Sequence, residues 1–453
     1  MKKILLLSLH FIVFSAFVEA QSWSEIGASY ILSDGTIETI TTDSSGNIYA
    51  AGNFYDINSN SYVIEWNGTI WTELGTGTNA LNANKPIASI IANKSGNIYA
   101  GGSFTNAKGK YYVAEWNGTS WSELGGTNAL GANGKINTIV TDKSGNIYAA
   151  GAFTDGSGYN YVAKWNGTSW TELGSLNVTG AISTIAVDAS GNVYAGGSFQ
   201  DINGYFYVAK WNGSTWTELN GSGTNGLNAN GQIYSIAVSS TGNVYAGGNF
   251  TDSGDDNYVA EWNGTTWTEL GGSGSGGLNS SSPIQSITID KSGNVYAEGT
   301  LYNTSGENVA KWNSTSWTIL GNGSYALNAN SYILTLTTDK YGNIYAAGAF
   351  TGKYYEPYVA EWSSGTKPTA TLSPQDKPAI SIYPNPGTGI VHIPALSEMV
   401  QLTVYSLSGT VVSTQQLAQG SLYADLSSFS SGIYTLVFSG QTTAYAPVKW
   451  VKE

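Results

Sequence analysis

The residues of this chain that could do chemistry are its acids and its tyrosines. Seven acids fall outside a repeating pattern that fills most of the sequence: Asp56, Asp155, Asp201, Asp252, Asp255, Asp256 and Glu356. They lie in short segments with tyrosines and amides, and Tyr112, Asp155, Tyr161, Asp201, Tyr207, Asp255, Asp256, Tyr258 and Tyr355 form the candidate ligand-binding set. Tyrosine faces flanked by carboxylates and amides suit sugar rings and hydroxyls, or a protein epitope. Two carboxylates at a suitable separation would also cleave a glycosidic bond, but nothing in the sequence sets that separation. Non-catalytic binding or display of an extracellular glycan or protein is the leading reading. A carboxylate-dependent polysaccharide-degrading enzyme and a structural surface or adhesion protein are the alternatives. Thr251–Asn257 is oxygen-bearing enough to suggest calcium, yet it lacks the EF-hand glycine and final glutamate and is expected to be a solvated turn. No metal site and no cofactor is expected.

Missing residue types narrow the chemistry further. The 453 residues include no cysteine, which removes disulfides, thiolate metal sites and cysteine nucleophiles together. All 18 basic residues are lysine, so no bidentate guanidinium clamp on carboxylate or phosphate can form. The two histidines, His10 and His392, both lie outside residues 20–390, which leaves no material there for Ser/His/Asp catalysis or histidine-ligated zinc. A net charge of -13 argues against binding nucleic acid through phosphates. With 57 glycines, 13% aromatic and only 11% charged residues, the composition favours short strands and tight turns, hence an all-β fold.

These groups must be positioned by a repeat. A Gly-Asn-Ile/Val-Tyr-Ala unit recurs seven times, its asparagine at 47, 97, 146, 192, 243, 294 and 343, a period of 46–51 residues. A Trp-Asn-Gly-Thr-x-Trp unit follows it, as in Trp116/Trp121 and Trp262/Trp267. Each repeat parses into four strands, a to d, with an Asp-x-Ser-Gly-Asn turn between a and b and an Asn-Gly hairpin between c and d. Four strands at this period predict one blade of a β-propeller, whose two faces are covered only by neighbouring blades, so the chain predicts seven blades. The seventh repeat stops at Trp362 on strand c, while Ser22–Gly27 supplies an orphan strand d that is expected to close the ring. Alternating strand direction puts the d–a and b–c loops on one face, where the candidate residues lie. Glu73, Glu123, Glu172, Glu218 and Glu269 on strand d are expected to be exposed outer-strand residues opposite Glu65, Glu115, Lys164, Lys210 and Glu261 on strand c.

Both ends of the chain concern location. Lys2 and Lys3 precede an apolar run from Ile4 to Phe17 and a Val18-Glu19-Ala20 cleavage pattern, the form of an export signal over 1–20. No other segment is long and apolar enough to span a membrane. A Ser/Thr/Pro-bearing linker over 366–377 separates the propeller, 21–365, from a segment of short alternating strands, 378–453, that predicts a small immunoglobulin-like β-sandwich.

The order Tyr-Ala-Gly-Gly-x-Phe, Tyr-Val-Ala-x-Trp-Asn-Gly, Trp-x-x-Leu resembles kelch-type propeller repeats over about 22–365. That resemblance implies a fold and no particular activity. At the other end, Tyr383, Pro384, Asn385 and Pro386, the Gly409 turn, the strand at Gly432 and the terminal Lys449 and Lys452 resemble the C-terminal sorting domain, type A, of the type IX secretion system of Bacteroidota. This implies the type IX machinery as a partner, export through the Sec signal, and a product released or held at the outer cell surface.

Overall fold

The computed structural model describes residues 22–27, 35–363 and 380–452, apart from breaks at 57, 220–225, 273, 302–303, 305, 322–324, 353–355, 381, 395, 397–398, 407–410, 441–444 and 446–447. The signal segment 1–20, the linker 366–377, Tyr355 and Gly409 lie outside the described residues.

Seven antiparallel four-stranded sheets follow one another along the chain, each in the order a-b-c-d. In the third, Ile136–Thr141 pairs with Ile147–Gly151, which pairs with Ala163–Trp165, which pairs with Trp170–Glu172. Strand b is buried at all five of its positions, because it is the strand covered on both faces by neighbouring blades. Small residues make that possible: a Cβ on Gly101 would meet the Ile136 Cγ2 of the next blade at 2.8 Å. The inner strands a pack against one another in sequence, and the last, Ile333–Thr338, packs against the first, Thr36–Thr42, which closes a seven-bladed propeller.

Two sets of polar contacts stitch the seams. At the inner end, a Ser or Thr hydroxyl of strand a accepts the backbone N–H of the next blade, as in Ile139 N to Ser89 Oγ at 3.1 Å and Leu336 N to Ser286 Oγ at 2.9 Å. At the outer end, the indole N–H of each strand-d tryptophan donates to the carbonyl that closes strand d of the preceding blade, for instance Trp267 to Leu219 at 3.2 Å and Trp317 to Leu270 at 2.9 Å. The expected closure is present. Trp23–Ile26 pairs with Val359–Trp362, and Trp23 donates to the Leu320 carbonyl while the Ile26 carbonyl accepts from Trp71. The tryptophans of each c–d hairpin face each other, with ring centroids 5.6–6.0 Å apart in the six blades built from one stretch of chain.

The a–b turns form as their residues predict. Asp142 Oδ1 accepts the N–H groups of Ser144 (2.8 Å) and Asn146 (3.0 Å), and Oδ2 accepts the Tyr148 hydroxyl at 3.1 Å. The strand-c acids are not paired with the strand-d glutamates, contrary to the expectation above. The register sets Glu65 opposite Thr72 and Ile64 opposite Glu73, so the two acids leave opposite faces of the sheet. In five blades strand c instead answers the a–b turn, whereas the first and seventh set both a turn aspartate, Asp43 or Asp339, and a strand-c glutamate, Glu65 or Glu361, on the strand-b tyrosine hydroxyl. Where the turn holds Asn93 or Ser239, Glu115 or Glu261 accepts the strand-b tyrosine hydroxyl, at 2.9 and 3.0 Å. Where the turn holds Asp142, Asp188 or Asp290, strand c carries Lys164, Lys210 or Lys311, whose ammonium lies 5.4–5.7 Å from that tyrosine's ring centre.

In the C-terminal domain a four-stranded sheet, in the order Val411–Leu417, Val400–Ser406, Gly432–Gly440, Val448–Lys452, packs across a shared core against the pair Ile390–His392 and Tyr423–Asp425. Val391, Leu402, Leu436 and Trp450 fill that core. The Tyr383–Pro386 segment is latched to the final strand: Asn385 Nδ2 donates to the Lys449 carbonyl at 2.6 Å, and Asn385 Oδ1 accepts from Val451 at 2.9 Å. Lys452 Nζ donates to the Thr388 carbonyl, and Tyr383 stacks on His392 at 5.0 Å.

Ile26 is 4% exposed and belongs to the strand that closes the ring. Ile26→Ala is expected to cost about 2–5 kcal/mol in urea unfolding, against within about 0.5 kcal/mol for the exposed Lys143→Ala. Equal effects would show that closure contributes nothing to stability.

Candidate functional site

The b–c loops and the d–a connections meet on one face, and the structure makes these loops regular. In the third blade Asp155 Oδ1 accepts the N–H groups of Ser157 (2.8 Å) and Tyr159 (3.0 Å), which folds the loop into an Asx turn. Asn160 then bridges to Val178 in the d–a connection, lacing the loop to the next blade. Asp56, Asn106, Asp201 and Asp252 make the same turn in their blades. Asp56, Asp155, Asp201 and Asp252 are therefore members of the repeat, not exceptions to it; divergent neighbours conceal the common position in the sequence. Asp255, exposed at φ 66°, and Asp256 stand in the fifth loop where the third has Gly158 and Tyr159.

The candidate tyrosines are half-buried and equally regular. Tyr112, Tyr161, Tyr207 and Tyr258 each set an edge against the buried phenylalanine that ends strand b, with centroids 4.9–5.0 Å apart. Beside each stands the strand-d glutamate, which register turns toward this loop. The carboxylates thus gather in pairs around a phenol: Asp155, Glu172 and Tyr161; Asp201, Glu218 and Tyr207; Asp252, Glu269 and Tyr258. Asp56, Glu73 and Tyr62 form the same group in the first blade, and Glu25 of the closing strand serves Tyr358 in the seventh. In the second blade Asn106 replaces the aspartate and donates to Glu123 at 3.1 Å. The sixth has Asn308 and Ile319 at the equivalent positions and no such group.

In the third blade this group lines a groove of about 520 Å³, between Asn128 and Leu130 of the preceding connection and Asp155, Tyr161, Trp170 and Glu172. Two predicted residues, Asp155 and Tyr161, are thereby brought together; Tyr112, the pair Asp201 and Tyr207, and the set Asp255, Asp256 and Tyr258 belong to separate blades. The sequence assigns Glu172 and its equivalents only an exposed outer-strand place, and does not single out Tyr159 and Tyr205, which are 38% and 44% exposed at the ends of the third and fourth turns. The signal for the last two was present: Asn60, Lys110 and Asp256 occupy the same place elsewhere, so aromatic residues there are specific to two blades.

Burial, then the neighbouring aspartate, raises the carboxyls of Glu172 and Glu218, and takes Glu73 to about 7. Burial, then the glutamate, pushes the phenols of Tyr112, Tyr207 and Tyr258 up to about 12. Each notch thus sets carboxyl oxygens beside a phenol that keeps its proton and can donate a hydrogen bond. No group of three or more His, Cys, Asp or Glu placed to hold a metal occurs among the described residues.

Residues 381–453 match the family described as a secretion system C-terminal sorting domain, which makes the chain a cargo of type IX export, destined for secretion or the cell surface. No curated protein matches the chain in sequence. Among solved structures, PorZ, a bacterial surface component of the type IX secretion system of Porphyromonas gingivalis, superposes with a TM-score of 0.50 at 16% identity, over 94% of this chain. This chain spans 60% of the length of PorZ, and the likeness is one of fold alone. The β-propeller domain of the Trilobed protease from Pyrococcus furiosus matches at 9% identity over 74% of this chain and 95% of its own, with a TM-score of 0.49. A fungal alcohol oxidase of the AA5 family in complex with copper matches at 11% identity over 95% of this chain and 98% of its own, with a TM-score of 0.47.

A carboxyl whose pKa is higher folded than unfolded takes up protons on folding. Glu73 therefore favours the fold below about 4.5, and that contribution is lost as pH rises to about 7. The urea midpoint of the wild-type chain is expected to fall across this window, and Glu73→Gln is expected to flatten the fall. An unchanged slope in the variant would refute the raised carboxyl.

Proposed function

We propose that this chain is a non-catalytic binding or display module, exported by the type IX system, whose rim notches hold an extracellular glycan. The propeller over 21–365 is the binding unit and 378–453 the export unit. The observation that carries this reading is the third-blade groove lined by Tyr161, Asp155 and Glu172, with the exposed Tyr159 in the turn that Asp155 closes. A phenol ring and converging oxygen groups are what a sugar's apolar face and hydroxyls require. Tyr112, Asp201, Tyr207, Asp255, Asp256 and Tyr258 would serve equivalent notches.

Repetition supports binding over turnover. Several equivalent shallow sites on one rigid ring multiply avidity for a ligand that itself repeats. Asp155 Oδ1 is also committed to two backbone N–H groups, which favours a supporting role for it over proton transfer.

In affinity electrophoresis of the full chain through polysaccharide gels, retardation without release of reducing ends is expected. Tyr159→Ala/Tyr205→Ala, at exposed positions, is expected to abolish retardation with no change in urea midpoint. Absence of retardation on every polysaccharide would overturn the glycan reading in favour of a protein ligand; reducing-end release lost in Glu172→Gln would establish an enzyme. In a host carrying the type IX machinery, removal of 381–453 is expected to leave the propeller unexported, as read by cell fractionation.

A further inference from the structure

The sixth blade also breaks the repeat on strand b. After the Tyr-Ala of strand b the other blades carry Ala51, Gly101, Ala150, Gly196, Gly247 and Ala347, and the sixth carries Glu298. Its side chain changes the local backbone. Glu298 Oε1 accepts the N–H groups of Gln285 and of Ser286 (3.1 Å), and strand a of this blade is correspondingly short, Ile287–Ile289. Glu307, which bridges the b–c loop to the next connection, turns its Oε2 to the backbone N–H of Ile333 in the seventh blade. Ser280 and Ser282 stand where other blades have Ala229 and Gly231, or Ala83 and Lys85. Their hydroxyls lie 3.3 Å apart, and Ser282 also bonds the Glu307 carboxylate.

All four side chains are buried: Glu298 and Ser280 at 0% exposure, Glu307 at 5% and Ser282 at 8%. Glu298 Oε2 has no hydrogen-bond partner, and the charge that acts on it is that of Glu307. No ion pair with either acid occurs among the described residues. The segment from Asn279 to Ala310 contains a single basic residue, Lys291, and that lies in the a–b turn on the opposite face. Two buried carboxylates without counter-charge are strongly unfavourable, and a buried oxygen without a partner requires an explanation. The donor set is all oxygen, which selects a hard cation. Two carboxylates and two hydroxyls drawn from separate segments suit calcium, which accepts six to eight oxygens flexibly, better than magnesium, which demands a near-ideal octahedron.

We propose that Glu298 and Glu307, with the Ser280 and Ser282 hydroxyls, bind one calcium ion at the junction of the sixth and seventh blades. The free Glu298 Oε2 and the Glu307 carboxylate supply the charge. The ion ties the irregular sixth blade to the blade completed by the N-terminal strand, and so acts on ring closure, independently of the rim notches.

The test uses the full chain stripped with EDTA, then titrated with calcium chloride by calorimetry and melted with and without the metal. One calcium equivalent is expected to be lost in Glu298→Gln, which keeps the side-chain volume. Saturating calcium is expected to raise the Tm by roughly 5 °C or more, with little response to magnesium. Glu298→Gly/Glu307→Ser restores residues that other blades use; it is expected to fold and to melt at a temperature indifferent to calcium. Asp252→Asn at the rim is expected to keep the full response. No calcium response in the wild type, or the same response and stoichiometry in both acid variants, would overturn the site. A wild-type Tm that ignores calcium and falls with rising pH more steeply than that of Glu298→Gln would show protons in the ion's place.

Discussion

An indole N–H donated across each seam to a main-chain carbonyl is the contact on which the ring depends. The outer strand of every blade is three or four residues long and could slide or fray. The Trp71, Trp121, Trp170, Trp216, Trp267, Trp317 and Trp23 donors fix it to the preceding blade at all seven seams. The geometry leaves no room for a side chain at the acceptor end: Gly174 has φ 61°, and a Cβ there would sit 2.3 Å from the Trp211 ring. The tryptophan pair spaced across an Asn-Gly turn and the glycine that closes strand d are thus one device, with the buried Ser and Thr hydroxyls its inner counterpart.

A seam fixed at both ends makes the rim uniform. Because strand d cannot shift, its glutamate meets the same loop in blade after blade, and the Asx turn returns the aspartate to the same place. Among the blades that keep the Asx turn, the turn's last residue is one that varies, with Tyr159 and Tyr205 standing where others have Asn60, Lys110 and Asp256. Affinity can be tuned there without touching the packing beneath, which is how a repetitive scaffold acquires a preferred sector.

Charge is arranged with similar economy despite the scarcity of basic residues. A strand-b tyrosine hydroxyl always has a carboxylate acceptor, from the turn or from strand c, and three blades with a turn aspartate add a lysine over the ring. The sixth blade is the exception on its other face. It lacks the Tyr–Glu notch and carries two buried acids instead, so the one blade unsuited to rim binding is the one equipped to hold an ion.

Blade number, strand order and ring closure were determined by the sequence alone, because they rest on local signals: a period near 50 residues, turn glycines and aspartates, and one strand's worth of motif displaced to the N-terminus. The sorting segment was legible for the same reason. Which acids meet was decided by tertiary structure. In a strand, side chains alternate faces, so a single residue of register separates Glu65 opposite Thr72 from Glu65 opposite Glu73. Asp155 and Glu172 lie 17 positions apart and Glu298 and Gln285 13, and no period in the chain encodes their approach. Only the bulged inner strands, the laced loops and the seams bring those carboxylates to shared ground, where burial and the absence of counter-charge give them their chemistry.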